Sequence, residues 1–231
     1  MPLDGRVAVV TGASRGIGRA VADSLERAGA DVIGLARSLT PARSQRRHDI
    51  PCDHSDETSV ERALSEALDV HGAPSILVNN AGSFLLRELA GTTVGDFRTQ
   101  LDANLLGPFV VLRKILPVLV ESRGHVVTIG SIADYQAFPG NAAYGAAKTG
   151  LRALHDVLAA EYQGRVRTTL VSPGPTDTAA WNDVDPDSRD DLPDRSQMMR
   201  AEDVADAVLF AVTRPIRVNV QLIRVSPSGM S

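Results

Sequence analysis

A chain of 231 residues with 43% hydrophobic and 23% charged residues has the composition of an ordinary globular protein and the length of a single α/β domain. Its net charge of -4 presents none of the basic surface that nucleic acids or membranes call for, so neither partner is expected. Cys52 is the only cysteine, which excludes an intrachain disulfide, and the five histidines show no H-x-x-x-H spacing, so no metal is expected. The opening Met-Pro-Leu-Asp-Gly runs straight into an apolar strand without signal-peptide features, which makes cytoplasmic residence the expectation.

In chain order, a β-branched run from Val7 to Thr11 predicts a strand, followed by a helix over Ile17 to Ala28 that Gly29 closes. A second strand spans Val32 to Ala36. The stretch that follows is short and carries Pro41, so any helix there is abbreviated or missing. A helix over Ser55 to Val70 opens on Ser55, Asp56 and Glu57. Then come a strand at Ile76 to Asn79, a long apolar helical stretch over Leu101 to Val120, and a strand at Val126 to Ser131. A helix over Ala142 to Glu161, a strand at Arg167 to Ser172, a helix at Ala201 to Val212 and a last strand at Gln221 to Val225 complete the pattern. Such alternation predicts one α/β domain over residues 1–231, a doubly wound parallel sheet in three layers with helices on both faces. Trp181 to Arg195, rich in Asp and broken by Pro186 and Pro193, reads as a loop or a substrate lid over about residues 178–200.

Thr11-Gly12-Ala13-Ser14-Arg15-Gly16-Ile17-Gly18 follows a strand and opens a helix, the context a dinucleotide-binding loop requires. Glycine lets the backbone turn tightly and approach a pyrophosphate, whose charge suits the free N–H groups at the helix start. The spacing is G-x-x-x-G-x-G rather than G-x-G-x-x-G. About 20 residues further on an acid would hold the ribose hydroxyls of NAD(H) and repel a 2'-phosphate. Arg37 stands there instead, with Arg15 in the loop, which favours NADP(H) over NAD(H). Arg43, Arg46 and Arg47 thicken the basic character of the region.

Tyr144 and Lys148 lie four residues apart in a helical stretch and so share one face. A nearby ammonium favours the phenolate, which suits a proton-transfer group. With these residues the chain resembles the short-chain dehydrogenase/reductase (SDR) family, an NAD(P)-binding Rossmann family marked by T-G-x-x-x-G-x-G, N-N-A-G, a serine and Y-x-x-x-K. Thr11 to Gly18, Asn79 to Gly82, Ser131, and Tyr144 with Lys148 match in order, and Asn104 fits the family's catalytic asparagine. The resemblance implies that Ser131 bonds the carbonyl oxygen, Tyr144 acts as acid/base, Lys148 binds the nicotinamide ribose and tunes Tyr144, and Asn104 holds a water linked to Lys148. It places Asn80, Ala81 and Gly82 against the cofactor, Asp53 at the adenine, and Pro173, Gly174, Thr176 and Thr178 over the nicotinamide.

On the same resemblance, Ser83, Phe84, Gln136, Phe138, Asn141, Pro175 and Trp181 line the substrate side. The carboxyl-terminal Asn219 to Pro227 lacks the family's frequent D-G-G, which leaves that end of the cleft open to question. The implied function is hydride transfer between a nicotinamide and a carbonyl or secondary alcohol. The alternatives are an NAD-dependent alcohol dehydrogenase of the same family and a catalytically silent dinucleotide sensor. The helices over Leu101 to Val120 and Ala142 to Glu161 resemble those that join subunits in this family, implying a homodimer or homotetramer, with apolar surface expected on Leu105, Val110, Leu112 or Leu154.

Overall fold

The structure is a computed structural model that describes residues 1–229. Strand β1 (Val7–Thr11) leads into α1 (Gly16–Arg27), β2 (Asp31–Ala36), a two-residue β3 (Ala42–Arg43), β4 (Arg47–Pro51) and α2 (Glu57–His71). The second half runs β5 (Ile76–Asn79), α3 (Val94–Leu101), α4 (Gly107–Glu121), β6 (His125–Ile129), α5 (Ala142–Glu161), β7 (Arg167–Pro173), α6 (Ala201–Val212) and β8 (Leu222–Val225). The strands form one sheet in the order β3-β4-β2-β1-β5-β6-β7-β8, parallel throughout except for β3, which pairs antiparallel to β4.

Alternation along β1 shows how the layers form. Ala8 and Val10 face one side, where Val21 and Leu25 of α1 meet Val204 and Val208 of α6. Val7 and Val9 face the other, against Val60 and Leu64 of α2, Val111 and Ile115 of α4, and Leu158 of α5. Because β1 pairs with β2 on one side and β5 on the other, the chain reverses its direction of travel across the sheet there. Such a switch point opens a crevice beyond the carboxyl ends of the strands.

The crossover between β2 and β4 holds no helix. Pro41 and the short connection leave room only for the β3 edge hairpin, an element the sequence pattern did not suggest. Helix α2 begins at Glu57 rather than Ser55, because the Asp56 side chain caps the Thr58 N–H. Ser131 lies beyond β6, where its hydroxyl accepts from the Ala133 N–H and starts a short 3-10 turn, Ile132–Asp134. The helical run from Val94 to Glu121 is long and apolar enough, by length and composition, to cross a membrane. Here Val111, Ile115 and Leu119 pack it into the core. Val110 and Leu112, expected as candidates for surface, are buried, while Phe97, Leu106, Phe109 and Val157 carry the outward apolar area of α3, α4 and α5.

Two buried histidines sit beside β6. His125 Nε2 lies 2.8 Å from Thr169 Oγ1, and His155 Nδ1 lies 2.9 Å from Thr128 Oγ1. Burial pushes His125 from 6.5 down to about 3 and His155 down to about 4. Both are neutral in the fold, so below about pH 6.5 the unfolded chain binds protons that the folded one refuses, and stability falls with pH. The expected slope is up to about 1.4 kcal/mol per pH unit for each histidine. Urea unfolding at pH 7 and pH 5 measures it; an unchanged midpoint, or a slope that His155→Gln fails to flatten, contradicts this assignment.

Candidate active site

The glycine loop leaves β1 with Gly12 and Gly16 at φ of +69° and +54°, a region that side chains with a Cβ rarely adopt. A Cβ on Gly12 would lie 2.8 Å from Asn80 Nδ2, so the loop also depends on close approach to the next crossover. Arg15 stands at the N-cap of α1 in extended conformation without a side-chain cap, which leaves the first helical N–H groups free for an anion. The Ser38 hydroxyl donates to Ser14 Oγ at 3.0 Å, tying the end of β2 to the loop. Ile17 packs against the core beneath it, and Gly18 comes so near Gly12 that a Cβ there would overlap the Gly12 carbonyl. A cleft of about 450 Å³ lies beside the loop, between Gly16, Arg19 and Asp23 of α1, Asp177 to Ala179, and Arg200 to Glu202 at the start of α6. The loop fits a pyrophosphate in shape and in its unspent donors.

Thr11 joins this loop to the N-N-A-G turn. Its hydroxyl accepts the N–H groups of Asn80 and Ala81, both at 2.9 Å, and the Asn80 side chain donates to the Thr11 carbonyl at 2.9 Å. Asn79 Nδ2 donates to the Pro108 carbonyl at 2.9 Å and so ties β5 to α4. Gly82 lies where a Cβ would meet Asn104 Oδ1.

Asn104 stands in a π-helical turn, Asp102–Leu106, between α3 and α4. Its Nδ2 donates to the Ser83 carbonyl at 3.0 Å and to the carbonyl and side chain of Gln100 at 3.1 Å, while Oδ1 accepts from the Ser83 N–H at 3.2 Å. The amide is thus held by protein partners on both of its ends, and the side chain fixes the Ser83 turn. Gln100 also donates to Ser83 Oγ at 2.9 Å. Sequence reasoning missed Gln100, although it lies one helical turn before Asn104.

Ser131, Tyr144 and Lys148 converge at the mouth of the crevice. Lys148 Nζ donates to the Ile129 carbonyl at 3.0 Å and lies 5.8 Å from the centre of the Tyr144 ring. Burial pushes the Tyr144 phenol up to about 12, opposed by the Ser131 hydrogen bond and reinforced by the charge of Asp134. Burial brings the Lys148 ammonium down to about 8, against the pull of Asp134. Asp134 was missed from the sequence, where the Ser-x-x-Asp spacing from Ser131 was its signal.

Phe84 stacks edge-on against Tyr144 with ring centres 5.0 Å apart and lies 4.8 Å from Trp181, so three aromatic side chains expected at the substrate side meet one another. Trp181 Nε1 donates to the Thr176 carbonyl at 3.1 Å. The Trp181 to Arg195 segment is irregular, as its composition suggested, and Arg195 gathers it by bonding Asp177 at 2.6 Å and Asn182 at 3.0 Å. Asn141 lies in the turn before Tyr144 with a buried, unpaired Oδ1. Gln136 points to solvent, and Phe138 is outside the stacked aromatic group. From β7, the Gly174 N–H donates to the Val225 carbonyl at 2.8 Å, Thr176 Oγ1 donates to the Gly174 carbonyl at 3.0 Å, and the Pro175 carbonyl accepts from Met199. Thr178 brings its methyl group within 3.3 Å of where a Gly16 Cβ would stand, so Pro173 to Thr178 arches over the glycine loop.

At the far end, Arg15 and Arg37 are exposed and without ion-pair partners among the described residues. Arg46 and Arg47 are committed elsewhere: Arg46 to Asp4 at 3.3 Å, Arg47 to Asp49 at 2.6 Å. Asp53 accepts the Ser55 N–H and hydroxyl at 3.1 and 2.7 Å, bonds that hold its carboxyl below its usual range with help from the charge of Arg37.

The family model described as short chain dehydrogenase matches residues 6–189. An uncharacterized oxidoreductase of Staphylococcus epidermidis is 32% identical over 235 residues, covering 96% of this chain and 97% of its own length. An alcohol dehydrogenase from the archaeon Thermococcus sibiricus, solved with 5-hydroxy-NADP, superposes with a TM-score of 0.86 at 26% identity, covering 98% of each chain. A serine dehydrogenase in its closed form with NADP+ gives 0.88 at 26% identity, covering 97% of this chain and 96% of the other.

Thr11→Val keeps the β-branched shape and removes the acceptor of two N–H groups. Leaving them unpaired is expected to cost about 1–3 kcal/mol in urea unfolding and to weaken dinucleotide binding. Wild-type stability in this variant would remove Thr11 from its place as the joint between the two loops.

Proposed function

This chain belongs to the short-chain dehydrogenase family, and we propose that it is an NADP(H)-dependent oxidoreductase acting between a carbonyl and a secondary alcohol, with Tyr144 as its proton-transfer group. The observation that carries this reading is the meeting of Ser131, Tyr144 and Lys148 beside the free N–H groups of the α1 loop. When bound, the dinucleotide supplies or accepts the hydride.

The residues of the chain do the rest. Ser131 has a hydroxyl that donates to a substrate oxygen as negative charge develops on it. Tyr144 holds the proton on its phenol oxygen and gives it to that oxygen in reduction, or takes it back in oxidation. A buried phenol resists ionisation, and the Ser131 hydrogen bond counters that resistance. Asn104 serves by fixing the Ser83 turn, and Phe84 with Trp181 shields the reacting oxygen from water. At the adenosine end, the unpaired guanidinium groups of Arg15 and Arg37 suit a 2'-phosphate, which supports NADP(H) over NAD(H). Asp53 sits at the adenine side with its carboxylate partly spent on Ser55. The outward apolar residues Leu106, Phe109 and Val157 support assembly of two or four copies through α4 and α5.

Assays of NADPH and NADH with a panel of ketones, aldehydes, quinones and sugars test the activity directly. Tyr144→Phe is expected to lose about 10²–10⁴-fold in turnover while binding NADPH as the wild type does. Full turnover by that variant removes the phenol from the chemistry.

Arg37→Asp tests cofactor choice. Exchanging a cation that bonds phosphate for an anion is expected to shift the NADPH:NADH affinity ratio toward NADH by about 10–100-fold. An unmoved ratio assigns the preference elsewhere.

A further inference from the structure

Asp134 has a side chain with 0% exposure, beside residues assigned above to chemistry but not itself among them. Its Oδ2 accepts the Ser131 N–H at 3.2 Å and the Ser172 hydroxyl at 2.7 Å. Its Oδ1 accepts from Arg152 Nη1 at 3.3 Å. Ser131 follows β6, whereas Ser172 lies in β7 immediately before the Pro173 to Thr178 arch, so one carboxylate oxygen ties the Ser131 backbone to the base of the arch. Gly130 keeps the space open, since a Cβ there would collide with that same oxygen.

A short 3-10 turn after Ser131 needs no buried charge. The Ser131 hydroxyl already caps the Ala133 N–H at 3.1 Å, and an uncharged side chain would complete the cap without the desolvation cost of a carboxylate. The charge does take a short bond of 2.7 Å from Ser172 in β7 as well as the Ser131 N–H just beyond β6, and a neutral cap has no use for that reach.

Resting on the oxidoreductase reading, we propose that Asp134 is a positioning residue that holds Ser131 and the 172–178 segment in one fixed relation, and so sets the carbonyl-binding hydroxyl against the nicotinamide end of the cofactor site. Asp134 does not touch the reacting atoms. It acts through the Ser131 backbone and through Ser172, with Arg152 balancing its charge from the surface side.

The test compares two ligands and two variants. NADPH spans the whole cofactor site, whereas 2',5'-ADP lacks the nicotinamide end. Asp134→Ala is expected to weaken NADPH by about tenfold or more while changing 2',5'-ADP by less than about twofold, and to lower kcat more than it raises KM for the carbonyl. Asp134→Asn retains an oxygen that can accept from both Ser131 and Ser172, so it is expected to stay within about threefold of wild type for NADPH. Gly130→Ala, which displaces the carboxylate while leaving it ionised, is expected to reproduce Asp134→Ala.

Amide exchange of the cofactor-free proteins reads the coupling without any ligand. Exchange in residues 130–136 and 172–178 is expected to quicken in Asp134→Ala, with β1 and β2 unchanged. Equal weakening of NADPH and 2',5'-ADP, or wild-type exchange at 172–178, overturns the proposal. Failure of wild-type protein to bind either ligand sinks the NADP(H) reading instead, and the exchange comparison still decides whether Asp134 couples the two segments.

Discussion

One buried hydroxyl joins the two halves of the crevice. Thr11 closes β1, and its Oγ1 takes the N–H groups of Asn80 and Ala81, which close β5. Parallel strands cannot share a turn, so nothing in the covalent chain fixes how their loops sit beside each other. The hydroxyl does so, and without it two buried donors would have no acceptor. The glycine loop, the N-N-A-G turn and, through Asn104, the Ser83 turn are thereby set in one frame. Small residues follow from that closeness: Gly12 and Gly82 stand where a Cβ would meet Asn80 and Asn104.

The cluster of Ser131, Tyr144 and Lys148 is built against solvation. Burial lifts the Tyr144 phenol to about 12 and lowers the Lys148 amine to about 8, so the same exclusion of water drives both groups toward their neutral forms. A phenol and an amine in such a place also respond to the charge that the protein brings beside them. Asp134 is that charge; it favours the ammonium and opposes the phenolate. The Ser131 hydrogen bond works in the other direction on the phenol, and so the four-residue turn from Ser131 to Asp134 carries two opposed influences on Tyr144 beside that of burial.

The architecture was legible because alternating β-branched and helical runs admit few other folds. The motifs were legible because they need particular atoms: glycines for the tight loop, a phenol and an amine on one helical face. What the sequence concealed were long-range commitments. Arg46 and Arg47 look like Arg37 along the chain, yet β4 turns Arg47 onto Asp49 and Asp23 and brings Arg46 to Asp4, whereas Arg15 and Arg37 keep their guanidinium groups exposed. Val110 and Leu112 differ from Phe109 only by rotation about α4, and the phase of that rotation is set by the π turn at Asp102–Leu106, which adds a residue that periodicity does not register. Asn104 was found by its motif, but its full set of partners depends on Gln100 and on a loop 21 residues distant in sequence.

The lid follows the same division between composition and geometry. Five aspartates between Asp183 and Asp191 suggest a solvated strip, and two prolines break regular structure. Yet its first residues are pinned at both ends of the site: Trp181 lies against Phe84 and donates to Thr176, and Arg195 reaches back to Asp177 and Asn182. Because Phe84 in turn meets the Tyr144 ring, a shift of Trp181 passes to the phenol through two packed aromatic contacts. The aromatic wall beside Tyr144 is then shaped by the 181–195 segment and the N-N-A-G turn together. The acidic strip beyond it faces water, so the charge of this segment and its aromatic contact point to opposite sides of it.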